Sequence, residues 1–161
     1  MIKENTQTQQ ILSVERACSD LNRGYPVRLT HQSKSHIIVS PDTLIDSALI
    51  DQILQIKAPL TLITSATRAK WISSKTFTKP AAINLTPLNW HEIQTIAGLT
   101  PETPSANIEM QETTNDACEY ALTLVKIAQL VPTVLMFDAN VLQLDYPLLN
   151  VDSGAIKNYD H

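Results

Sequence analysis

The sequence predicts an α/β fold, a single domain in which helices cover a mixed sheet. Segments with helical spacing alternate with short apolar runs of strand length, the pattern of strands that take helices as cover. The 161 residues suit one domain, and a chain of this size buries about 70% of its unfolded surface, enough for a core without staples. Hydrophobic residues make up 43% and charged residues 17%, so Thr, Ser, Asn and Gln supply much of the polar surface that charge (~25% in most domains) would provide.

In residues 5–23, Ile11, Val14, Cys18 and Leu21 form one stripe, with Leu12 and Ala17 beside it. This is helical spacing. Gly24 supplies the stop, as a glycine just past a helix does. Pro26 to Leu29 opens a strand, and "HIIV" (36–39) is its partner or continuation. Ser40, Pro41 and Asp42 read as a helix start, with Ile45, Ala48, Leu49, Ile53 and Ile56 facing one way until Pro59. "LTLI" (60–63) is a compact buried strand. "SATRAKWIS" (65–73) is a short helix capped by Ser65, and "AAINL" (81–85) is a further strand.

Residues 89–98 form a helix with Asn89 as cap, Glu92 three residues on and Gly98 at its end. The stretch 99–111 holds two prolines and no periodicity, which reads as a long surface loop. Thr113 and Asp116 form a capping-box variant ahead of the best helix, striped by Ala117, Tyr120, Ala121, Leu124, Ile127 and Ala128. Pro132 ends it, and "TVLMF" (133–137) is a buried strand. The tail holds "PLLNV" (147–151) and a short helix in "SGAIKNY". We divide the chain into a main α/β domain, 1–146, and a connector-like tail, 147–161.

Composition excludes several function classes. Net charge is −4, and no run of Lys or Arg is present. That argues against nucleic acid and against an anionic membrane as partners. The start "MIKENTQTQQ" is polar and no apolar run approaches ~18 residues, so a soluble cytoplasmic protein is expected. Three glycines, Gly24, Gly98 and Gly154, cannot build a Gly-rich phosphate loop. Cys18 and Cys118 are too few for a zinc cage and suggest no disulfide framework. They lie on apolar stripes and read as small buried hydrophobes. Trp71 and Trp90 read as core or interface fillers, and His91 as exposed.

The polar stretch "THQSKSHIIVSPD" (30–42) carries His31, Lys34 and His36 but no acid before Asp42. These three side chains, with Arg68 on the helix after "LTLI", are the candidates for binding a phosphate or other ligand. Solvated turn residues are the competing reading. The two histidines lack the i, i+2 spacing that puts two strand residues on one face. Asp138 follows a buried strand, where ligands bind in α/β sheets. Glu119 sits in the first turn of its helix, where the dipole favours an acid regardless of chemistry.

"ERACSDLNRGYPVRL" (15–29) resembles the opening of 3,4-dihydroxy-2-butanone-4-phosphate synthase, a riboflavin-pathway enzyme. "TLITSATRAKWIS" (61–73) is similar to a later strand and helix of that family. "CEYALTLVKIAQLVPTVLMFD" (118–138) resembles its long helix and the strand after it. "LLNVDSGAIKNYD" (148–160) is similar to the connector that follows a degenerate copy of this domain ahead of the catalytic domain in some bacterial GTP cyclohydrolase II proteins.

The resemblance implies a specific chemistry to look for. The synthase rearranges ribulose 5-phosphate with loss of formate and uses Mg²⁺, held partly by an acidic loop after the first strand. Hard cations need oxygen ligands, and "THQSKSHIIVSPD" has lost that acidic cluster. Alignment on "AQLVP" (128–132) puts Ala117 where the family has a metal-binding histidine, Cys118 at a threonine and Glu119 at a glutamate. Asp138 takes the place of a catalytic glutamate. Two acids thus survive without the metal ligands, and no metal or other cofactor is expected. Nor can this chain be the cyclohydrolase itself, which needs three zinc-binding cysteines.

The reading is therefore a catalytically degenerate, stand-alone relative of the region before GTP cyclohydrolase II. Its role would be dimerisation, or docking to that catalytic domain. The alternatives are a diverged sugar-phosphate lyase working with Asp138, Glu119 and a histidine (with Mg²⁺ if the chemistry is retained), and a binding module for a phosphorylated metabolite.

Overall fold

A computed structural model describes residues 2–56, 59–85, 88–105, 108–144 and 147–159, with the side chains of 2–5 left aside. The elements in chain order are α1 (Ile2–Asn22), β1 (Val27–His31), β2 (Lys34–Val39), α2 (Ser47–Leu54), β3 (Thr61–Thr64), α3 (Ala66–Ser73) and β4 (Ala81–Asn84). They continue as α4 (Trp90–Ile96), β5 (Gln111–Glu112), α5 (Asp116–Ile127), β6 (Thr133–Asp138), β7 (Asn150–Asp152) and α6 (Ser153–Lys157). The α/β expectation is met. The strands make one mixed sheet in the order β5-β4-β3-β6-β2-β1-β7, antiparallel except for the parallel pairing of β1 with β7.

Both faces of the sheet are covered. One carries Val27, Leu29, Ile38, Ile63, Val134 and Met136 against α1, α5 and α6. The other carries Ile37, Val39, Leu62, Ile83, Leu135 and Phe137 against α2, α3, α4 and apolar residues of 108–110 and 139–144, with Leu148. β6 lies in the middle, so residues 133–137 are buried on both faces. That explains why "TVLMF" reads as a continuous apolar run rather than an alternating one.

Four described helices end in a left-handed residue; Ser74 (φ +63) closes α3 by bonding the carbonyl four back, and the other three share one closure. Gly24 (φ +82), Gly98 (φ +83) and Gln129 (φ +61) follow α1, α4 and α5. In each, that residue's N–H bonds the carbonyl three residues back, and the next N–H bonds the carbonyl five back. This paired closure satisfies carbonyls the helix leaves open. Gln129, not Pro132, therefore stops α5.

Several local expectations are corrected. Ser40, Pro41 and Asp42 do not start a helix. They form a turn in which Thr43 and Leu44 N–H bond the Ser40 carbonyl. α2 begins at Ser47, with Asp46 as its cap. The extra residues seat Leu44 in the core and leave Ile45, expected on the buried stripe, 85% exposed. Asn115 rather than Thr113 caps α5. The stretch expected as a long loop, 99–111, runs at its end into a two-residue strand, β5. Trp71 is exposed, whereas Trp90 packs on the core.

Residues 145–146, at the boundary drawn after 146, lie outside the described residues. Within 147–159, β7 pairs with β1, and Ala155 and Ile156 of α6 join the core. Among the described residues, no helix is long and apolar enough to cross a membrane.

Candidate functional site

The β1–β2 connection is two residues long, Gln32 (φ +50) and Ser33 (φ +64). Positive φ at both central positions is the turn that matches strand twist in a tight hairpin. The hairpin sets which side chains share a face. Opposite residues of an antiparallel pair lie on one side; His31 faces Lys34, and Leu29 faces His36. His31, Lys34 and His36 thus share the α5 side of the sheet, correcting the expectation that the two histidines lie apart. On the far side of β2, His36 is opposite Asp138 of β6. A residue from the hairpin and one about a hundred positions later therefore meet.

Lys34, His36 and Asp138 line a hollow of about 430 Å³ at the start of α5. Thr61, Asn115 and Cys118 complete much of its wall. Asp138 plays a turn role as well, since its Oδ1 accepts the Asn140 N–H at 2.8 Å. A second carboxylate on the wall, Glu112, is engaged elsewhere, accepting from the Thr78 hydroxyl and the Lys79 N–H. Asn115 spends its side-chain oxygen on the Ala117 N–H as the helix cap.

The other candidate residues lie outside the hollow. His31 Nδ1 is 2.7 Å from Ser153 Oγ, and its ring sits against Tyr120, so it ties β1 to α6. Glu119 points to solvent. Arg68 belongs to the opposite layer, where its guanidinium donates to the carbonyls of Ile96 (3.0 Å) and Thr95 and lies 4.5 Å over the Trp71 ring. It closes the C-terminal end of α4. Arg68→Met is expected to lower stability by about 1 kcal/mol, or roughly 2–4 °C in Tm, without touching ligand binding in the hollow. Thermal melts and phosphate titrations of the variant check both halves.

The charge state of the wall follows from its surroundings. Burial, then the Lys34 ammonium, then His31 push the His36 imidazole below its usual 6.5, while Asp138 pulls it the other way. The folded protein therefore holds neutral His36 where an unfolded chain has begun to protonate. Full stability is present above about pH 6.5, and it falls as pH drops below that value toward the lowered pKa. Urea melts at pH 7.5 and 5.5 should show this loss, and His36→Gln should shrink it. An unchanged slope in the variant would remove His36 as its source.

A larger hollow of about 540 Å³ opens on the opposite face, between α4 and residues 102–109. Three of its charged or titratable groups are engaged: Glu102 pairs with the exposed His91 at 2.9 Å, and Glu92 completes the α4 cap. The Asp138 hollow is thus the better chemical candidate. Sequence reasoning missed Asn115 and Cys118 as wall residues. The Asn-Asp pair before the α5 stripe was the available signal for the first; nothing local marks the second.

No family model and no curated protein matches the chain. Solved structures do. A cation-free 3,4-dihydroxy-2-butanone 4-phosphate synthase superposes with a TM-score of 0.62 at 6% identity, covering 89% of this chain and 94% of that one. The Candida albicans synthase gives 0.59 at 10% identity, covering 91% and 96%. A two-domain synthase from A. baumannii gives 0.57 at 12% identity, covering 86% of this chain and 55% of that one. The chain has the fold of these synthases, and it spans about half the length of the two-domain protein.

Proposed function

We propose that the chain is a catalytically degenerate domain of the riboflavin-pathway synthase type. Its role would be structural, in self-association or in docking to a GTP cyclohydrolase II catalytic domain. The main support is the donor set of the Asp138 hollow. A solved synthase is a complex with two magnesium ions, and such hard cations take oxygen ligands, carboxylates above all. Here Asp138, the wall carboxylate in register with the hairpin, shares the wall with an ammonium and an imidazole, while Glu112 is engaged by Thr78 and Lys79. Lys34 would repel a divalent cation. Ala117, where the resemblance places a metal-binding histidine, is a fully buried methyl. The described residues do not fit the metal.

The test is direct. Purified protein with ribulose 5-phosphate and Mg²⁺ should release no formate, and light scattering should show a dimer or a complex with a cyclohydrolase. Formate release that Asp138→Asn abolishes would overturn the proposal in favour of the lyase.

One observation favours the binding-module alternative. Lys34 and His36 border the same hollow at the start of α5, where charge and helix dipole suit an anionic group. Stabilisation by ribulose 5-phosphate that Lys34→Gln removes would select that reading.

A further inference from the structure

Arg28 takes no part in the Asp138 hollow. It sits in the middle of β1, on the face opposite Lys34 and His36. The row across the sheet reads Phe137, Ile37, Arg28, Asn150, so a guanidinium is placed in line with two buried apolar side chains. Its Nε is shielded from solvent and has no hydrogen-bond partner among the described residues. A buried donor left without an acceptor is costly, and an arginine held this way fits a site that receives its acceptor from outside.

A space for that acceptor is present. Arg28 lines a hollow of about 520 Å³ beneath the segment after β6, with Asn140, Gln143, Leu142 and Leu148. No carboxylate lines it among the described residues. The charged group is the planar fork of a guanidinium, and two side-chain amides can add N–H donors. Arg forks match the paired oxygens of carboxylate and phosphate groups. We propose that this hollow is an anion site that takes a small phosphate or carboxylate group on Arg28, with Asn140 and Gln143 as flanking donors. The site does not depend on the Asp138 hollow, which lies on the other face of the sheet.

The full chain would be titrated with inorganic phosphate and, separately, with acetate, at constant ionic strength, following Tm and, for phosphate, the ³¹P linewidth. A saturable response to either anion is expected, and the anion that responds names the class. Arg28→Gln should abolish it and Lys34→Gln should leave it intact. Because Arg28→Gln alters a sheet position, the double variant Asn140→Ala/Gln143→Ala, which changes only exposed side chains, provides a second reading. It should fold normally and weaken binding by about tenfold. The proposal is overturned if neither anion binds saturably, if binding survives Arg28→Gln, or if Lys34→Gln is the variant that removes it.

Discussion

Replacing Gly24 by alanine is expected to cost roughly 3 kcal/mol of stability, about 6–12 °C in Tm, as two penalties add. The first is conformational. At φ +82 the residue is left-handed, a region that disfavours any Cβ. The second is steric. A Cβ here would run into the backbone carbonyl oxygen of Thr43, and backbone cannot rotate away as a side chain can. The close approach has a purpose. Thr43 also bonds the Leu21 carbonyl, so the turn at 41–46 is pinned against the end of α1, and Leu44 is carried into the core. Gly98→Ala separates the penalties. Its φ is nearly the same, but its Cβ would meet the end of the Arg68 side chain, at 3.1 Å, which can shift. Urea denaturation should show Gly24→Ala to be the more harmful by ~1 kcal/mol or more. Equal losses would show that the Thr43 contact contributes nothing.

Local chemistry made much of this fold readable. Asn89 with Glu92 forms the cap its spacing predicts, with both reciprocal bonds present. Gly24 and Gly98 end their helices because only an unhindered residue takes that conformation cheaply. The α5 stripe and the buried run of β6 were equally plain. What escaped was whatever depends on non-local partners. The Ser40-Pro41-Asp42 start signal is a good one, but tethering of Thr43 to α1 outweighed it and moved the helix to Ser47. β5 has two exposed residues and so no hydrophobic pattern to detect.

The site divides along the same line. Periodicity tells which side of an element is buried, not which element covers it. Lys34, His36 and Asp138 were each visible as candidates, yet their meeting depends on β2 lying beside β6. Nothing in the local sequence gives that neighbour. Arg68 looked available for a ligand because the α4 carbonyls that occupy it belong to a segment 27–28 residues away. The resemblance to the synthases orders the elements correctly, and the polar stretch without acids holds a two-residue hairpin turn. The common face of the two histidines followed from that turn and not from their spacing.

The second large effect concerns the thiols, and it limits the chemistry available in the Asp138 hollow. Cys118 lines that hollow in the first turn of α5, a position that ordinarily activates a cysteine by lowering its pKa. Here burial prevails. It raises the thiol to about 11 against the bond from its own backbone N–H, which lowers it, and the Glu119 charge adds to the rise. Cys18, packed against the same core, is likewise raised to about 11 by burial and then Glu15. Relative to the ordinary value of 9.0, two units leave about one hundredth as much thiolate at pH 8, and only the thiolate attacks. Both cysteines should therefore react with iodoacetamide about a hundredfold more slowly in the native protein than in 8 M urea, at equal pH. Mass spectrometry of timed samples reads each site separately. Native Cys118 labelling at the unfolded rate would show an activated thiol, and a covalent mechanism would have to be considered for the hollow. The expected slow labelling leaves the wall without an activated thiol, and neutral His36 stands there beside Asp138 and an ammonium suited to holding an anion rather than a metal.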